Sequence, residues 1–283
     1  MQAKIQKAQI LLDALPYIKK FRNKTIVIKY GGAAQINADL KEKFAQDIVL
    51  LYLVGIRVII VHGGGKSINS ILDRLNIKSD FVDGLRITDE KVMEVVEMVL
   101  SGNVNKEITT LLNHNGAKAI GITGKDANFM HAKPIDDGKY GLVGQITQIN
   151  ESVLNDLIDE KFIPVIAPIA SGDDSSHPGY NINADLAASK IAVSVQAKKV
   201  IFLTDTLGVL DKNKKLLSKL SQNDVEKLKE DGVISGGMIP KVDACLEAIS
   251  GGVENAHIID GRIEHSILLE LFTNEGIGTI IKQ

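Results

Sequence analysis

The sequence predicts an α/β fold, a three-layer αβα sandwich around a central, mainly parallel sheet, with one helix added at the N-terminus. Strand-like runs and helical patterns alternate along the chain, which indicates helices on both faces of one sheet. The strand-like runs are continuously apolar, as is typical of strands covered on both faces. Hydrophobic residues make up 45% of the chain and aromatic residues only 4%, so the core must be aliphatic.

The first element is a helix over residues 1–22. It carries one apolar stripe of Ile5, Ala8, Leu12 and Leu15. Pro16 is expected to kink or end this helix. Because the helix precedes the first strand, it is an addition to the sandwich. It either packs on its own domain or pairs with its copy in another subunit.

The strands and helices of the sandwich follow in order. Strand-like runs occupy residues 25–30, 57–62, 117–123, 162–168, 199–204 and 253–260. Helical patterns occupy residues 40–54, 66–75, 90–100, 105–114, 184–195 and 239–249. Two-residue alternation with glycines over residues 139–150 predicts a hairpin inserted at one end of the sheet.

The composition argues against several classes of protein. A formal net charge of -2 without a long basic run argues against a nucleic-acid partner. No apolar stretch approaches the ~20 residues that a membrane helix needs, so no membrane partner is expected. The lone Cys245 leaves no internal disulfide and fits a reducing, cytoplasmic compartment.

Three clusters combine glycine with lysine. They are Lys29-Tyr30-Gly31-Gly32, His62-Gly63-Gly64-Gly65-Lys66 and Gly236-Gly237-Met238-Ile239-Pro240-Lys241. Glycine lets backbone N–H groups crowd around an anion, and lysine adds a mobile charge that follows a phosphate. A single glycine pair would indicate only a tight turn. Two clusters directly after two strands instead predict a phosphoryl-transfer site at the carboxyl edge of the sheet.

The second cluster fits neither common nucleotide motif. Ile60 stands where a Walker A motif needs its first glycine, and Ile68 where a dinucleotide fingerprint needs its third. The six histidines show no metal-ligand spacing, so no protein-held metal is expected. His62, at a strand end, is interpreted as a hydrogen-bonded core residue.

Charged residues also stand where two helices begin. Pro240 suits the first position of a helix, which puts Lys241 in its first turn, where the helix dipole disfavours a cation by up to ~1 kcal/mol. A bound phosphate would reverse that preference. Asn183 is expected to cap the next such helix and Asp185 to complement its dipole, which leaves one carboxylate able to organise two lysines. Arg86, predicted on a loop, suits a carboxylate ligand.

Taken together, the motifs resemble those of the amino-acid kinase family. Besides the clusters above, they include Gly84-Leu85-Arg86-Ile87-Thr88, Gly121-Ile122-Thr123-Gly124-Lys125-Asp126, Asn181-Ile182-Asn183-Ala184-Asp185 and Leu203-Thr204-Asp205. The match runs in order along essentially the whole chain. Within the family, the motifs most resemble those of the branch that phosphorylates N-acetyl-L-glutamate. That branch uses ATP with Mg²⁺ to form N-acetyl-L-glutamyl 5-phosphate, the second step of arginine biosynthesis.

The resemblance also implies a role for each site residue. Lys29 and Lys241 would stabilise the transferring phosphoryl group, and Asp185 would hold both lysines. The N–H groups of Gly32 and Gly64 would bind phosphoryl oxygens. Substrate binding is implied for Gly64, Gly65, Arg86 and Asn181. Nucleotide binding is implied for Gly31, Gly32, Asp205, Thr206, Leu207, Gly208, Val209, Leu210, Val233, Ile234 and Ser235. The kinase domain would span residues 23–283, with a substrate-binding N-lobe of about 23–195 and a nucleotide-binding C-lobe of about 196–283.

A second set of features resembles the arginine-inhibited members of the family, which carry an extra N-terminal helix and a C-terminal signature, here residues 265–279. They imply feedback inhibition by L-arginine and a hexamer, a trimer of dimers joined by interlaced helices 1–22. The arginine site would comprise Tyr17, Lys199, His265, Glu270 and Gly276. Relatives controlled by a PII-type signal protein make such a protein a further candidate partner.

Two other functions stay open at this point. One is another carboxylate or carbamate kinase of the same fold, against which Arg86, Asn181 and the N-terminal helix argue. The other is a non-catalytic arginine sensor, which would not need all three of Lys29, Asp185 and Lys241. A plastid stroma is the alternative to a cytoplasmic location.

Overall fold

The computed structural model describes residues 1–82 and 84–283. The strands are β1 (Thr25–Tyr30), β2 (Arg57–His62), β3 (Phe81–Val82), β4 (Leu85–Arg86), β5 (Ala119–Thr123), β6 (Met130–Pro134), β7 (Gly144–Ile149), β8 (Ile163–Ala167), β9 (Ile169–Ala170), β10 (Tyr180–Asn181), β11 (Lys199–Thr204), β12 (Lys219–Ser221), β13 (Asn255–Asp260) and β14 (Thr279–Lys282). The α-helices are α1 (Gln2–Phe21), α2 (Ala38–Leu53), α3 (Gly65–Arg74), α4 (Glu90–Glu97), α5 (Asn105–His114), α6 (Glu151–Asp159), α7 (Ala184–Ser194), α8 (Gln222–Glu230), α9 (Ile239–Ser250) and α10 (Ser266–Phe272).

The core of the molecule is an eight-stranded sheet in the order β12-β14-β13-β11-β1-β2-β8-β5. The six strands from β13 to β5 are parallel to one another. Strand β14 is antiparallel to β13, and β12, which pairs in parallel with β14, therefore also runs opposite to those six strands. The fold is therefore the predicted three-layer sandwich with a mainly parallel sheet. The two central strands are in register from Thr25 opposite Arg57 to Tyr30 opposite His62, so their glycine loops leave the sheet side by side.

Alternate residues of each strand enter one of two apolar cores. On β1, Ile26 and Ile28 pack in the first core with Phe44 of α2, whereas Val27 packs in the second core with Ala188 of α7. Helices α2 to α5 and α10 contribute to the first core, and α6 to α9 contribute to the second. Because both faces are covered, the central strands are apolar along most of their length, as the sequence indicated.

The helix at the N-terminus does not end at Pro16. It continues through the proline to Phe21, so of the two effects expected of Pro16, a kink or an end, the end is wrong. Proline removes only one backbone donor, and the residues that follow it are held by packing on the C-terminal part of the chain. Phe21 is 2% exposed, and the ring centroid of Tyr17 lies 6.4 Å from that of Phe272 in α10.

Two helical patterns that the sequence separated are one continuous run. A π-helical segment, Met98–Val104, joins α4 to α5 without a break. Leu100 and Val104 are buried in this segment, and an added Cβ on Gly64 would lie 2.5 Å from Leu100 Cδ2. The wide turn therefore packs directly against the glycines that follow β2, as such segments often do near functional sites.

The C-terminal part of the chain contains elements that the sequence did not predict. Strands β12 and β14 and helix α8 extend the sheet and cover its second face beyond β13. The predicted hairpin 139–150 supplies only its second strand, β7, and its first strand is β6, which begins at Met130. Within the described residues, no helix is long and apolar enough to cross a membrane.

Candidate active site

Asp185 binds both lysines that the sequence singled out. Lys29 Nζ lies 3.0 Å from Asp185 Oδ1, and Lys241 Nζ lies 3.0 Å from Asp185 Oδ2. The carboxylate is almost fully buried, and the side chains of Lys29 and Lys241 are 11% and 22% exposed. Two cations from opposite ends of the sequence thus converge on either side of one carboxylate.

Three elements bring these side chains to the carboxyl edge of the sheet. Lys29 follows Val27 on the face of β1 that packs against α7, because residues two apart on a strand share a face. Asp185 lies in the first turn of α7, where Asn183 Oδ1 accepts hydrogen bonds from the backbone N–H groups of Asp185 and Leu186. Lys241 stands in the first turn of α9, directly after Pro240. The predicted cap by Asn183 is confirmed. The second helix begins at Ile239, so Pro240 is its second residue rather than its first, and Lys241 still lies in the first turn as expected.

Electrostatics keep the central carboxylate ionised. Burial alone would raise the pKa of Asp185, but the ammonium groups of Lys29 and Lys241 outweigh burial and hold that pKa below its ordinary value. The two helices that carry this cluster are also bonded to each other, since the hydroxyl of Ser189 on α7 donates to the carbonyl of Ala244 on α9 at 2.6 Å. The cluster is therefore a charged, rigid site rather than a pair of surface lysines.

The glycine loops after β1 and β2 border this cluster. An added Cβ on Gly31 would lie 3.1 Å from Lys29 Nζ, so the backbone there abuts the ammonium group. Gly32 has a φ of 70°, and a Cβ added there would overlap Asp205 Oδ1, so a side chain would have to displace that carboxylate. Gly64 caps α3, whose first N–H groups open toward the same edge. Backbone donors and cations together form a place for a negatively charged group.

The residues expected to hold a small carboxylic acid form the adjoining wall. Arg86 lies on β4 of a short hairpin rather than on a loop, and its guanidinium donates to Asn69 Oδ1 at 2.5 Å and to the Gly65 carbonyl at 3.3 Å. The amide of Asn181 donates to Thr88 Oγ1 at 3.2 Å, and Thr88 in turn donates to the Arg86 carbonyl. One hydrogen-bonded chain therefore connects Gly65, Arg86 and Asn181.

The residues expected around a nucleotide differ in how exposed they are. Asp205 follows β11 and touches Gly32, which joins the C-terminal half of the chain to the first glycine loop. The side chains of Val209 and Ile234 are buried in the second core, and the backbone N–H of each already donates within the protein, to Thr279 Oγ1 and to the Leu228 carbonyl. Leu207 is 45% exposed. The remaining expected residues, Gly31, Thr206, Gly208, Leu210, Val233 and Ser235, lie in the same loops.

A separate cleft lies between α1 and the C-terminal segment. It has a volume of about 870 Å³, and Tyr17, Lys199, Glu270 and Gly276 line it. His265, which was expected here, is absent from the described lining. It stands before α10 with a φ of 56°, and its Nδ1 lies 2.6 Å from Asp47 Oδ1 of α2. The left-handed backbone at the start of α10 turns this ring toward α2.

His257 lies in the cleft although the sequence did not single it out. Lys199 donates to His257 Nε2 at 2.7 Å, and His257 Nδ1 lies 2.5 Å from Glu270 Oε1. Burial lowers the pKa of His257, so the ring is neutral. Because Nε2 accepts a hydrogen bond from Lys199, the ring proton is on Nδ1, which donates a hydrogen bond to Glu270. Burial also lowers the pKa of Lys199 to about 8, although the Glu270 carboxylate acts in the opposite direction.

Sequence reasoning missed other polar residues behind the site, chiefly Gln35 and Asn105. Asn105 is fully buried and donates to His62 Nε2 at 3.1 Å and to the Val165 carbonyl at 2.8 Å. His257 had one usable signal, a polar residue inside an otherwise apolar strand. Gln35 had none, because a single glutamine after a glycine pair resembles any loop residue.

Comparison with known proteins agrees with this geometry. Residues 24–260 match the model of the amino acid kinase family. A protein of a Nitratiruptor species, named acetylglutamate kinase, is 65% identical over 279 residues, which cover 99% of this chain and 98% of that protein. A protein of Campylobacter curvus with the same name is 62% identical over 282 residues, which cover 100% of both chains.

Solved structures share the same architecture. N-acetylglutamate synthase from Neisseria gonorrhoeae, complexed with coenzyme A and N-acetyl-glutamate, matches with a TM-score of 0.85 and 26% identity over 98% of this chain and 63% of that one. The same synthase complexed with coenzyme A and L-arginine matches with a TM-score of 0.82 and 25% identity over 97% of this chain and 65% of that one. Carbamate kinase from Giardia lamblia bound to AMP-PNP, 20% identical with a TM-score of 0.70 over 92% of this chain and 99% of that one, shares the fold. With a family model over most of its length and a close relative over all of it, the chain belongs to the amino acid kinase family.

Proposed function

We propose that this chain transfers the γ-phosphoryl group of ATP to the side-chain carboxylate of N-acetyl-L-glutamate, the second step of arginine biosynthesis. The observation that carries the proposal is the pair of lysines, Lys29 and Lys241, held by Asp185 beside two glycine loops. The relative that is 65% identical and named acetylglutamate kinase favours this acceptor over carbamate.

The chemistry needs positioning and charge rather than a general base. A carboxylate is already a nucleophile at neutral pH, so its oxygen attacks the γ-phosphorus while the bond to the β-phosphate oxygen breaks and ADP leaves. Lys29 and Lys241 would neutralise charge on the oxygens of the group in transit, and the N–H groups of Gly32 and Gly64 would bind those oxygens. Asp185 would keep the two ammonium groups from moving apart.

The two halves of the chain would divide the binding work. Residues 23–195 supply Gly64, Gly65, Arg86 and Asn181, which we propose bind acetylglutamate. Residues 196–283 supply the loops 205–210 and 233–235, which we propose bind the nucleotide with Gly31 and Gly32. Among the described residues, no group of three or more His, Cys, Asp or Glu is placed to hold a metal ion. We therefore propose that Mg²⁺ enters with ATP, held by its phosphates and by water.

A coupled assay of ADP release tests the proposal. The chain is expected to consume ATP only when N-acetyl-L-glutamate is added, and not with carbamate or unacetylated glutamate. Turnover with carbamate alone would assign the chain to the other carboxylate and carbamate kinases of this fold. Binding of L-arginine without any turnover would instead indicate an arginine sensor.

We also propose that L-arginine inhibits this activity by binding in the cleft between α1 and α10. The cleft offers the Glu270 carboxylate for a guanidinium and Lys199 for a carboxylate. The loop around Gly276 wraps the Glu270 side chain so closely that an added Cβ on Gly276 would lie 2.7 Å from Glu270 Oε2. A structural neighbour is complexed with L-arginine. In this proposal His257 lies beside the ligand and His265 lies outside its site.

An arginine titration of the turnover assay tests this second proposal. Glu270→Gln should weaken inhibition by about 10- to 100-fold, because a charge-assisted hydrogen bond is lost, and leave kcat unchanged. The matched control is Glu254→Gln, an exposed glutamate paired with Lys198. If L-arginine inhibited Glu270→Gln as strongly as it inhibits the wild type, the cleft would not be the inhibitory site.

The N-terminal helix would join subunits into a hexamer, a trimer of dimers. Ile5, Leu12 and Leu15 of the predicted stripe are 62%, 59% and 41% exposed, so this chain leaves the stripe largely uncovered. The C-terminal half of α1 packs on α10 and lines the cleft, which would couple assembly to inhibition. Binding of a PII-type protein is a further proposal, which co-purification with such a protein would test.

A further inference from the structure

Gln35 stands behind both glycine loops. It ends the short 3-10 turn Gly32–Gln35, and its side-chain Nε2 donates to the carbonyl of Tyr30 at 3.1 Å and to the carbonyl of Gly63 at 3.1 Å. These carbonyls belong to the last residue of β1 and to the first residue after β2. One amide group therefore ties together the two strand ends from which the glycine loops emerge.

Each of these carbonyls has a second donor, so its direction is fixed. The Tyr30 carbonyl also accepts the N–H of Gly63 at 2.9 Å. The Gly63 carbonyl also lies 3.0 Å from His62 Nδ1. His62 Nε2 accepts from Asn105, so Nδ1 carries the proton and donates to that carbonyl. Burial lowers the pKa of His62 to about 4, which keeps this neutral form at physiological pH.

The direction of a carbonyl determines the direction of the next N–H. A trans peptide is planar and points its N–H opposite to its C=O. With the Tyr30 and Gly63 carbonyls turned toward Gln35, the N–H groups of Gly31 and Gly64 point away from it. Gly31 abuts the Lys29 ammonium and leads into Gly32, and Gly64 opens α3.

The glutamine is itself held in place by the loop that it supports. The hydroxyl of Tyr30 donates to the Ala34 carbonyl at 2.7 Å, directly before Gln35, and the Tyr30 ring stacks on Phe44 with centroids 3.8 Å apart. Two hydrogen bonds therefore span the turn between Gly31 and Gln35, one from the Tyr30 hydroxyl to the Ala34 carbonyl and one from the Gln35 amide to the Tyr30 carbonyl. Glycine without such support would let these peptides rotate freely.

We propose that Gln35 is a positioning residue for phosphoryl transfer: its amide holds the Tyr30 and Gly63 peptides so that the Gly64 N–H and the Gly31-Gly32 turn face the migrating group. The inference rests on the proposed function and adds to it a residue that touches neither substrate. Preorganised donors act mainly in the transition state, so their misalignment should lower kcat more than it raises KM.

Gln35→Met tests the inference, because methionine keeps the length of the side chain and removes both donated hydrogen bonds. We expect kcat to fall about tenfold, while KM for ATP and for acetylglutamate changes less than about twofold. Affinity for ADP with aluminium fluoride and acetylglutamate, a mimic of the transition state, should weaken by a similar factor, and affinity for AMP-PNP should not. Gln35→Glu, which turns a carboxylate toward two carbonyl oxygens, should lose more activity. The matched control is Gln46→Met on the exposed face of α2.

The outcomes separate the inference from the proposed function. If the wild type is active and Gln35→Met has the same kcat, the inference about Gln35 is overturned and the proposed function is not. Parallel loss of kcat, substrate affinity and AMP-PNP affinity, per folded molecule counted by thermal melting, also overturns it, since that is the mark of a merely structural role. A wild-type chain without acetylglutamate-dependent turnover overturns the proposed function, and this inference with it.

Discussion

Asp185 shows how single residues set the chemistry of this site. A buried carboxylate is costly when it stands alone, and here two ammonium groups offset that cost. The same contacts keep two like charges together, which neither lysine would favour by itself. The arrangement stores positive charge where an incoming phosphoryl group would meet it.

Replacement of this carboxylate should separate the lysines. We expect Asp185→Asn to lower kcat by about 100- to 1000-fold, a loss comparable to that of an oxyanion-stabilising group, with smaller changes in KM. Steady-state kinetics of ADP release measures both constants. Asp243→Asn, on the same helix as Lys241 and paired with Lys229, is the matched control. A kcat near the wild-type value would show that the lysines do not depend on Asp185.

We propose that Arg86 acts in substrate binding rather than in the chemical step. Its guanidinium is buried, lies 4.5 Å from the Phe81 ring centroid and donates to the Gly65 carbonyl. We expect Arg86→Ala to raise KM for acetylglutamate by about 10- to 100-fold and to leave KM for ATP nearly unchanged. Arg74→Ala, an exposed arginine at the end of α3, provides the control. An unchanged KM for acetylglutamate would remove Arg86 from the substrate site.

Among the elements, β2 and α5 are coupled through a buried polar pair. His62 on β2 and Asn105 at the start of α5 are both fully buried and bond to each other. Burial lowers the pKa of His62 from 6.5 to about 4. Between these values an unfolded chain binds a proton that the folded chain does not, so this group makes the protein less stable as the pH falls.

A histidine replacement should therefore reduce the pH dependence of stability. We expect His62 to lower the free energy of unfolding by about 3 kcal/mol between pH 6.5 and pH 4, and His62→Gln to remove that slope. Urea unfolding across this range measures it, with His114→Gln, an exposed histidine, as the control. Asp47 acts in the opposite direction, because burial raises its pKa to about 6, so variants must be compared with each other. An unaltered slope in His62→Gln would contradict the prediction.

Pattern alone predicted the elements whose surroundings are uniform. Strands β1, β2 and β11 were predicted to the residue, because runs buried on both faces have sharp ends. The π-helical segment was not, since its backbone depends on packing against Gly64 rather than on its own residues. Strand β12 has only three residues and α8 has a polar sequence, so neither has a strong periodic signal.

At the scale of the whole molecule, one sheet spans both halves of the chain. Strands from residues 23–195 and strands from residues 196–283 form two blocks that meet where β1 pairs with β11. The cluster of Lys29, Asp185 and Lys241 lies at this junction, and the α1–α10 cleft lies beside the C-terminal block. The exposed half of α1 extends the molecule beyond this sandwich.

Assembly and regulation should therefore be separable by mutation. A chain lacking residues 1–22 is expected to form active dimers that arginine no longer inhibits, as measured by light scattering and by the turnover assay. That deletion also removes Tyr17 from the cleft. Leu12→Glu, on the exposed stripe, should prevent assembly of the proposed hexamer while it keeps Tyr17, and Gln6→Glu is the matched control. Hexamers that survive the deletion would show that α1 does not join subunits.

The sequence by itself determined the sandwich, the glycine loops and the identity of Lys29, Asp185 and Lys241. These features are local: strand periodicity, helix starts and glycine next to charge are each set within a few residues. Only the tertiary structure decided that His257 belongs to the cleft, that His265 faces Asp47, and that Gln35 lies behind both loops. Those outcomes depend on hydrogen bonds between residues distant in sequence, whose direction is fixed only when the strands and helices are packed together.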